Sequence, residues 1–207
     1  MELYIYLLAS LFSVLNPIGT VPIFVGLTND YTKKERSRVA LLTSVNVFII
    51  LVISYFIGQY LLSFFGITIN ALRIAGGIII TNSGFSLLNK NFSKSRGINK
   101  EVEEDIQNRN EIALTPLAIP MLAGPGSISL LIAYYQDHHT TFDMVIAVLS
   151  ILTVAGLIAI VLNSAHYLSR ILGSSGIVAI SRIVGFLTIA IGIQYIISST
   201  LSIIRGI

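Results

Sequence analysis

Long uncharged, apolar runs separated by short polar stretches dominate the chain. These runs cover residues 3–29, 39–72, 112–136, 144–165 and 183–204. A helix needs about 20 apolar residues to cross the hydrocarbon core of a bilayer. The run at 39–72 is too long for one such helix, and Phe65-Gly66-Ile67-Thr68 offers a turn, so a second helix ends near Phe65 and a third covers 70–88. The pattern therefore predicts six transmembrane helices.

The basic residues predict how these helices are oriented. Eleven of the 13 Lys and Arg residues fall in the connections after the first, third and fifth helices. Only Arg73 and Arg205 belong to the other side. Because Lys and Arg near the ends of spans are retained in the cytoplasm, we expect both termini to lie outside it.

The composition agrees with a protein that lives in a lipid bilayer. The chain is 54% hydrophobic and 11% charged, whereas soluble domains carry about 25% charged residues. The net charge of +3 follows from the uneven placement of basic residues, and it is interpreted as topology rather than nucleic-acid binding. No cysteine is present, which excludes disulfides and thiol chemistry. No Asp or Glu lies inside a span, which argues against a buried carboxylate relay and against cation selection. Sodium bound by unwound backbone carbonyl groups is the alternative, so the coupling ion stays open.

An internal repeat divides the chain into halves. Matches in register pair Pro17 with Pro125, Tyr60 with Tyr167, and Arg73 with Arg182. The offsets are 108, 107 and 109 residues, one match in each helix of a half. We therefore expect a three-helix repeat at 1–90, a cytoplasmic linker at 91–111 and a second three-helix repeat at 112–207. Because three is odd, the second repeat enters the membrane from the opposite side, as in inverted-topology transporters. A regulatory or partner-binding role for the linker is the alternative.

Each half has helix-breaking residues inside its first span. The first cluster is Asn16-Pro17-Ile18-Gly19-Thr20-Val21-Pro22, and the second is Pro120-Met121-Leu122-Ala123-Gly124-Pro125-Gly126-Ser127. Proline removes an N–H and clashes with the preceding turn. Backbone groups freed in this way must face protein or a watery cavity, since lipid cannot satisfy them. Helices one and four are therefore predicted to be broken, although ordinary kinks in packed helices are the alternative reading.

A helix that restarts after a break presents free N–H groups and a positive dipole end, which suits a carboxylate. Interrupted spans at matching places in two halves point to a transporter's binding site. Four further polar residues lie in or near other spans: Asn46, Asn82, Asn163 and Gln194. They either form hydrogen bonds between helices or contact a ligand. Asn46 and Asn82 are the stronger ligand candidates. The candidate substrate-binding residues are Asn16, Pro17, Gly19, Thr20, Pro22, Asn46, Asn82, Pro120, Gly124, Pro125, Gly126 and Ser127.

Arg73 and Arg182 open equivalent helices on opposite faces of the membrane. They either snorkel to the headgroups or act as a gate by contacting carbonyl groups of the broken helices. Gly76, Gly77 and Gly185 follow them and permit close approach of helices. These five residues are the gating or structural candidates.

The remaining chemistry is sparse. His138-His139 with Asp137 and Asp143 lacks a spaced fourth partner, so no metal site is expected. No nucleophile–base arrangement or phosphate loop is visible, so neither an enzyme nor a cofactor is expected.

Three runs resemble a known family. Phe12–Phe24, with its Asn-Pro-Ile-Gly core, and Pro116–Ser127, with its Ala-Gly-Pro-Gly core, are similar to signatures of the MarC family of integral membrane proteins, as is Leu72-Arg73-Ile74-Ala75-Gly76-Gly77. The resemblance implies a six-helix inner-membrane protein of bacteria or archaea. It also implies a relation to transporters of small neutral amino acids such as glycine and alanine.

The resulting hypothesis is an all-α secondary transporter of small neutral solutes, using alternating access at the broken helices. Its partners would be the lipid bilayer and the solute, and its small size and glycine-lined helix faces are compatible with a homodimer. A channel-like pathway and a non-transporting scaffold are the alternatives.

Overall fold

A computed structural model of the chain describes residues 2–88, 109–138 and 140–205, and these residues are almost entirely helical. The first half forms α1 (Glu2–Leu15), α2 (Pro17–Leu27), α3 (Lys33–Phe65) and α4 (Ile69–Leu88). The second half forms α5 (Arg109–Ile112), an irregular wide-turned segment (Ala113–Leu122), α6 (Pro125–Asp137), α7 (Thr141–Asn163) and α8 (Ala165–Arg205). Most of the predicted linker at 91–111 lies outside the described residues.

The predicted spans are present. Within the described residues, five stretches are long and apolar enough to cross a membrane, with α1 and α2 counted together as Glu2–Leu27. Ala113–Leu122 and α6 are long and apolar enough only when taken together, and they are bent by 62° at the break between them, which makes the pair either a broken sixth span or a re-entrant loop. The predicted all-α membrane fold, with breaks in the first and fourth spans, is therefore confirmed.

Local sequence sets the ends of α3. Thr32 caps its first turn, and the Glu35 side chain returns to the Thr32 backbone, which together form a capping box. The helix ends at Phe65 because Gly66 adopts a left-handed conformation with φ 65°. The turn predicted at Phe65-Gly66 is thus confirmed.

The start of the last span differs from the prediction. The uncharged run predicts a helix entered at Arg182, but the apolar helix already covers Val178–Arg205. One arginine does not end a helix, whereas Gly173, with φ 62°, breaks α8 near its beginning. Arg182 consequently lies about one turn inside the helix.

The protein core lies between the broken spans and α3 and α7. Its largest fully buried side chains include Leu11, Phe24, Tyr55, Leu117 and Leu130. Large apolar side chains on the outer faces remain exposed, as Phe64 and Ile160 show. In water such exposure would be unfavourable, but in a bilayer these side chains face lipid.

The third and sixth spans make the most extensive helix pair, α4 with α8. Glycines on the two helices face one another: a Cβ atom at Gly77 would lie 2.6 Å from the Gly192 carbonyl oxygen, and one at Gly84 would lie 2.7 Å from the Gly185 carbonyl oxygen. Both pairs repeat at seven-residue spacing, from Gly77 to Gly84 and from Gly185 to Gly192. Small residues let membrane helices approach closely, which strengthens their van der Waals packing.

We expect Gly192→Ala to destabilise the protein by about 1–3 kcal/mol, because the added methyl group overpacks the α4–α8 contact. Gly156→Ala is the matched control, since a Cβ atom there meets nothing within 4 Å. Unfolding in detergent, followed by circular dichroism, measures both variants. Equal stability of the two would contradict the proposed contact.

Candidate functional site

The first break is a single residue, Asn16, between α1 and α2. Asn16 has φ 44° and ψ 64°, a left-handed conformation that Asn tolerates better than most residues. Its Oδ1 accepts a hydrogen bond of 3.1 Å from the Gly19 backbone N–H. Pro17 occupies the first helical position, where its missing N–H costs nothing. Asn16 therefore ends one helix and caps the next.

The side chains at this break are turned inward. Thr20 Oγ1 donates to the Asn16 carbonyl oxygen at 3.3 Å, and both residues are almost fully buried. Asn16 Nδ2 is also buried, and it has no hydrogen-bond partner among the described residues. A buried donor left unpaired costs about 1–3 kcal/mol, so this amide group is a place where a ligand or a rearrangement would be favourable.

The second break is wider. Thr115 (φ −125°, ψ 121°) and Ile119 (φ −120°, ψ 129°) are extended within Ala113–Leu122, each before a proline. The chain then bends, and α6 begins after Gly124, which has no side-chain cap to offer. Ser127 Oγ donates to the Gly124 carbonyl oxygen at 2.9 Å. Ser127 therefore satisfies a carbonyl group at the start of α6.

A cavity of about 590 Å³ lies against the second break. One wall is the break itself and the other is α4, with Val14 of α1 also contributing. Six of the predicted site residues line it: Asn82, Pro120, Gly124, Pro125, Gly126 and Ser127. The residues that sequence reasoning missed are Val14, Ile78, Ile79, Ser83, Met121 and Leu122. Ile78 and Ile79 follow from helical periodicity once Asn82 is placed, since residues three or four apart share a face. Ser83 in turn lies four residues after Ile79.

Other predicted site residues do not line this cavity. Pro17 and Gly19 are buried beside Asn16, whereas Pro22 is exposed on α2 and Asn46 is half-buried on α3. The structure thus brings the second-half candidates together with Asn82, and it leaves Asn16, Pro17, Gly19 and Thr20 of the first break in a closed, packed region.

A second cavity, of about 390 Å³, lies between α1 and α8. Ser10, Ser13, Gln194 and Tyr195 are among its lining residues. At one edge, the Ser13 and Thr188 hydroxyls lie 3.1 Å apart, and Thr188 Oγ1 also donates to the Ser13 carbonyl oxygen at 3.1 Å. These bonds join α1 to α8 just before the first break.

Arg73 contacts the far end of the broken fourth span. Its guanidinium donates to the Ala133 carbonyl oxygen at 3.2 Å and pairs with the Asp137 carboxylate. Its side chain is only 17% exposed. Arg182, at the equivalent position of the second half, is exposed. The two arginines are therefore in different environments.

Two residues of the His138-His139 cluster, for which no metal site is expected, can be placed as follows. Asp137 is the partner of Arg73 in the ion pair, and His139 lies outside the described residues.

A separate arginine holds the C-terminal end of α2. Arg36 donates to the carbonyl oxygens of Thr28 at 3.0 Å and of Asn29 at 2.7 Å. Thr28 Oγ1 lies 3.2 Å from Nε2 of His166. Burial lowers the pKa of His166 below its ordinary value, and the nearby Arg36 guanidinium lowers this pKa further. Neutral His166 can therefore accept or donate in this contact at neutral pH.

Comparison with known proteins agrees with these features. Residues 1–204 match the family described as "MarC family integral membrane protein". A UPF0056 membrane protein of Buchnera aphidicola subsp. Schizaphis graminum is 37% identical over 195 residues, covering 94% of this chain and 90% of the relative. The UPF0056 inner membrane protein MarC of Escherichia coli O1:K1 is 37% identical over 208 residues, covering 96% of this chain and 94% of the relative.

No solved structure matches this chain. The family match covers both breaks and both cavities, and the relatives align along nearly their whole length. This chain therefore belongs to the MarC family of integral membrane proteins.

Proposed function

We propose that this protein is a secondary transporter of small neutral solutes, of which glycine- and alanine-like amino acids fit best. It works by alternating access at the broken helices. The observation that carries the proposal is the cavity at the second break, where a helix N-terminus meets Asn82 and Ser83 of α4. Its volume of about 590 Å³ accommodates a small amino acid together with water.

The chemistry of this cavity suits a zwitterion. The N-terminus of α6 is the positive end of that helix, which favours a carboxylate. The Ser127 and Ile128 N–H groups already donate to the Gly124 carbonyl oxygen, at 3.1 and 3.2 Å, so the attraction would come mainly from the helix dipole. The Pro120 carbonyl oxygen lies beside Gly124, where a Cβ atom would be 2.8 Å from it, and it offers an acceptor for an ammonium group. Among the described residues that line the cavity, none is acidic or basic. The cavity therefore favours a zwitterion, whose positive and negative groups need no charged side chain to neutralise them.

Small residues set the size of the accepted solute. Gly124 and Gly126 expose backbone to the cavity, and a Cβ atom at Gly126 would lie 2.9 Å from Ile80 Cγ1. Apolar side chains of Ile78, Ile79 and Leu122 complete the lining. A short apolar side chain fits beside them, whereas a charged one would lose its hydration without gaining a partner.

The helix contacts support the exchange of roles between halves that alternating access requires. The second span, α3, packs on the fifth, α7. The third span, α4, packs on the sixth, α8. α1 contacts α6, and α2 contacts Ala113–Leu122, so the two broken spans meet reciprocally. An inverted repeat with a pseudo-two-fold axis in the membrane plane would produce these pairs.

The two breaks differ in a way that fits one state of such a cycle. The second break borders the larger cavity, while the first is closed around Asn16. In the opposite state the first break would face the solute, and the unpaired Asn16 Nδ2 would then find an acceptor.

The direct test is counterflow of labelled glycine or alanine in proteoliposomes that contain the purified protein. We expect saturable exchange with unlabelled solute, which separates a carrier from a channel. Absence of solute-dependent exchange by folded protein would contradict the proposal.

Asn82→Ala should weaken solute binding about tenfold or more, because it removes a polar contact to a charged group of the solute. Asn163→Ala is the control, since Asn163 is an exposed asparagine outside this cavity. The KM of exchange measures both variants. An unchanged KM for Asn82→Ala would remove Asn82 from the site.

We propose that the protein lies in the inner membrane, the location given in the name of the Escherichia coli relative. In the proposed orientation both termini lie outside the cytoplasm. The chain contains no cysteine, so a single introduced cysteine reports its own side. A membrane-impermeant maleimide should label Glu2→Cys in intact cells and should label Arg38→Cys only after the cytoplasmic face is opened. The reverse pattern would contradict the assigned orientation.

A further inference from the structure

The ion pair between Arg73 and Asp137 joins α4 to the last turn of α6, at the outer end of the molecule in the proposed orientation. Because Arg73 also holds the Ala133 carbonyl oxygen, the two helices cannot separate there without losing both interactions. This contact closes the outer end of the gap between the third and fourth spans.

The sequence carries a related set of residues at the inner end, with the carboxylate shifted by one position. Arg182-Ile183-Val184-Gly185 repeats Arg73-Ile74-Ala75-Gly76. Ala133 and Asp137 lie eight and twelve residues after Pro125, and the same steps from Pro17 lead to Val25 and Asn29. Asp30, one residue further, is the first carboxylate of that region. The element pairing agrees, since α8 packs along α2 as α4 packs along α6.

The inner parts are not engaged with each other. Arg182 and Asp30 are both exposed and do not form an ion pair. The carbonyl groups beside Asp30 are held instead by Arg36 from α3. The structure therefore combines an outer contact that is held by an ion pair with an inner contact in which Arg182 and Asp30 are not paired with each other.

We propose that Arg182 and Asp30 form a second gating ion pair, which closes the inner end when the Arg73–Asp137 pair opens. This inference rests on the alternating access proposed above. The two pairs are mutually exclusive, because each belongs to one of the two states. Ion pairs at a partly exposed surface contribute little net stability, so exchanging one for the other keeps the two states close in energy and lets the solute decide between them.

Paired cysteines test the exchange in the full-length protein in membranes. The Asp30→Cys/Arg182→Cys variant is treated with a short bifunctional methanethiosulfonate, and the yield of internally linked chain is measured. Adding Asp137→Asn removes the outer ion pair, and we expect the yield to rise about fivefold as the population shifts. Asp137→Asn leaves the Arg73 contact with Ala133 in place, and Arg73→Gln serves as a second, stronger variant.

Arg38→Gln is the matched control for Arg73→Gln, because it removes one exposed basic charge outside either gate. It should leave the linking yield unchanged. A yield that stays the same with Asp137→Asn and with Arg73→Gln, or that rises equally with Arg38→Gln, would overturn the exchange of ion pairs.

Counterflow supplies the functional arm. Arg182→Gln and Asp30→Asn should each slow exchange about fivefold, if each pair contributes at the upper end of surface ion pairs, and the charge-reversed pair Arg182→Asp/Asp30→Arg should restore most of it. Failure of the reversed pair to restore exchange that the single variants lose would overturn the pairing. The cross-linking experiment needs no solute. If the unaltered protein shows no exchange, that result counts against transport, whereas the cross-linking yield still tests the exchange of ion pairs.

Discussion

The whole structure depends on one constraint, which is that lipid offers no hydrogen bonds to an interrupted backbone. The chain breaks its first and fourth spans and then has to satisfy the freed groups. At the first break Asn16 does so locally, by capping the Gly19 N–H and holding Thr20 against its own carbonyl. At the second break Ser127 Oγ donates to the Gly124 carbonyl oxygen, and the break also borders a cavity. The position of the candidate site follows from this difference.

Close packing elsewhere makes the broken spans tolerable. The glycine pairs of α4 and α8 bring the third and sixth spans into backbone contact, and α3 packs against α7 on the other side. The interrupted spans are thus enclosed by protein along most of their length, with Leu11, Phe24 and Leu117 fully buried. Fixed packing around two imperfect helices is what allows small rearrangements at the breaks without exposing their polar groups to lipid.

Much of this was predictable from sequence because its signals are local. The span count follows from run length, the end of α3 from Gly66, and both breaks from proline beside glycine or asparagine. The capping role of Asn16 also follows a local preference, although its burial does not. The start of the sixth span was misplaced, because a single charge such as Arg182 does not end a helix. The contact of Arg73 with Ala133 and Asp137 depends on tertiary packing across 60 residues or more. The sequence alone therefore could not distinguish this contact from an Arg73 side chain that snorkels to the headgroups.

The central claim is that a small neutral solute occupies the cavity at the second break. Ser83→Cys places a unique thiol on its wall, and Ser37→Cys places one away from it, near the start of α3. The rate of alkylation of each thiol, with and without glycine or alanine, tests the claim most directly. We expect either solute to slow alkylation of Ser83→Cys in a saturable way and to leave Ser37→Cys unaffected. Equal rates at Ser83→Cys with and without saturating solute would contradict the account.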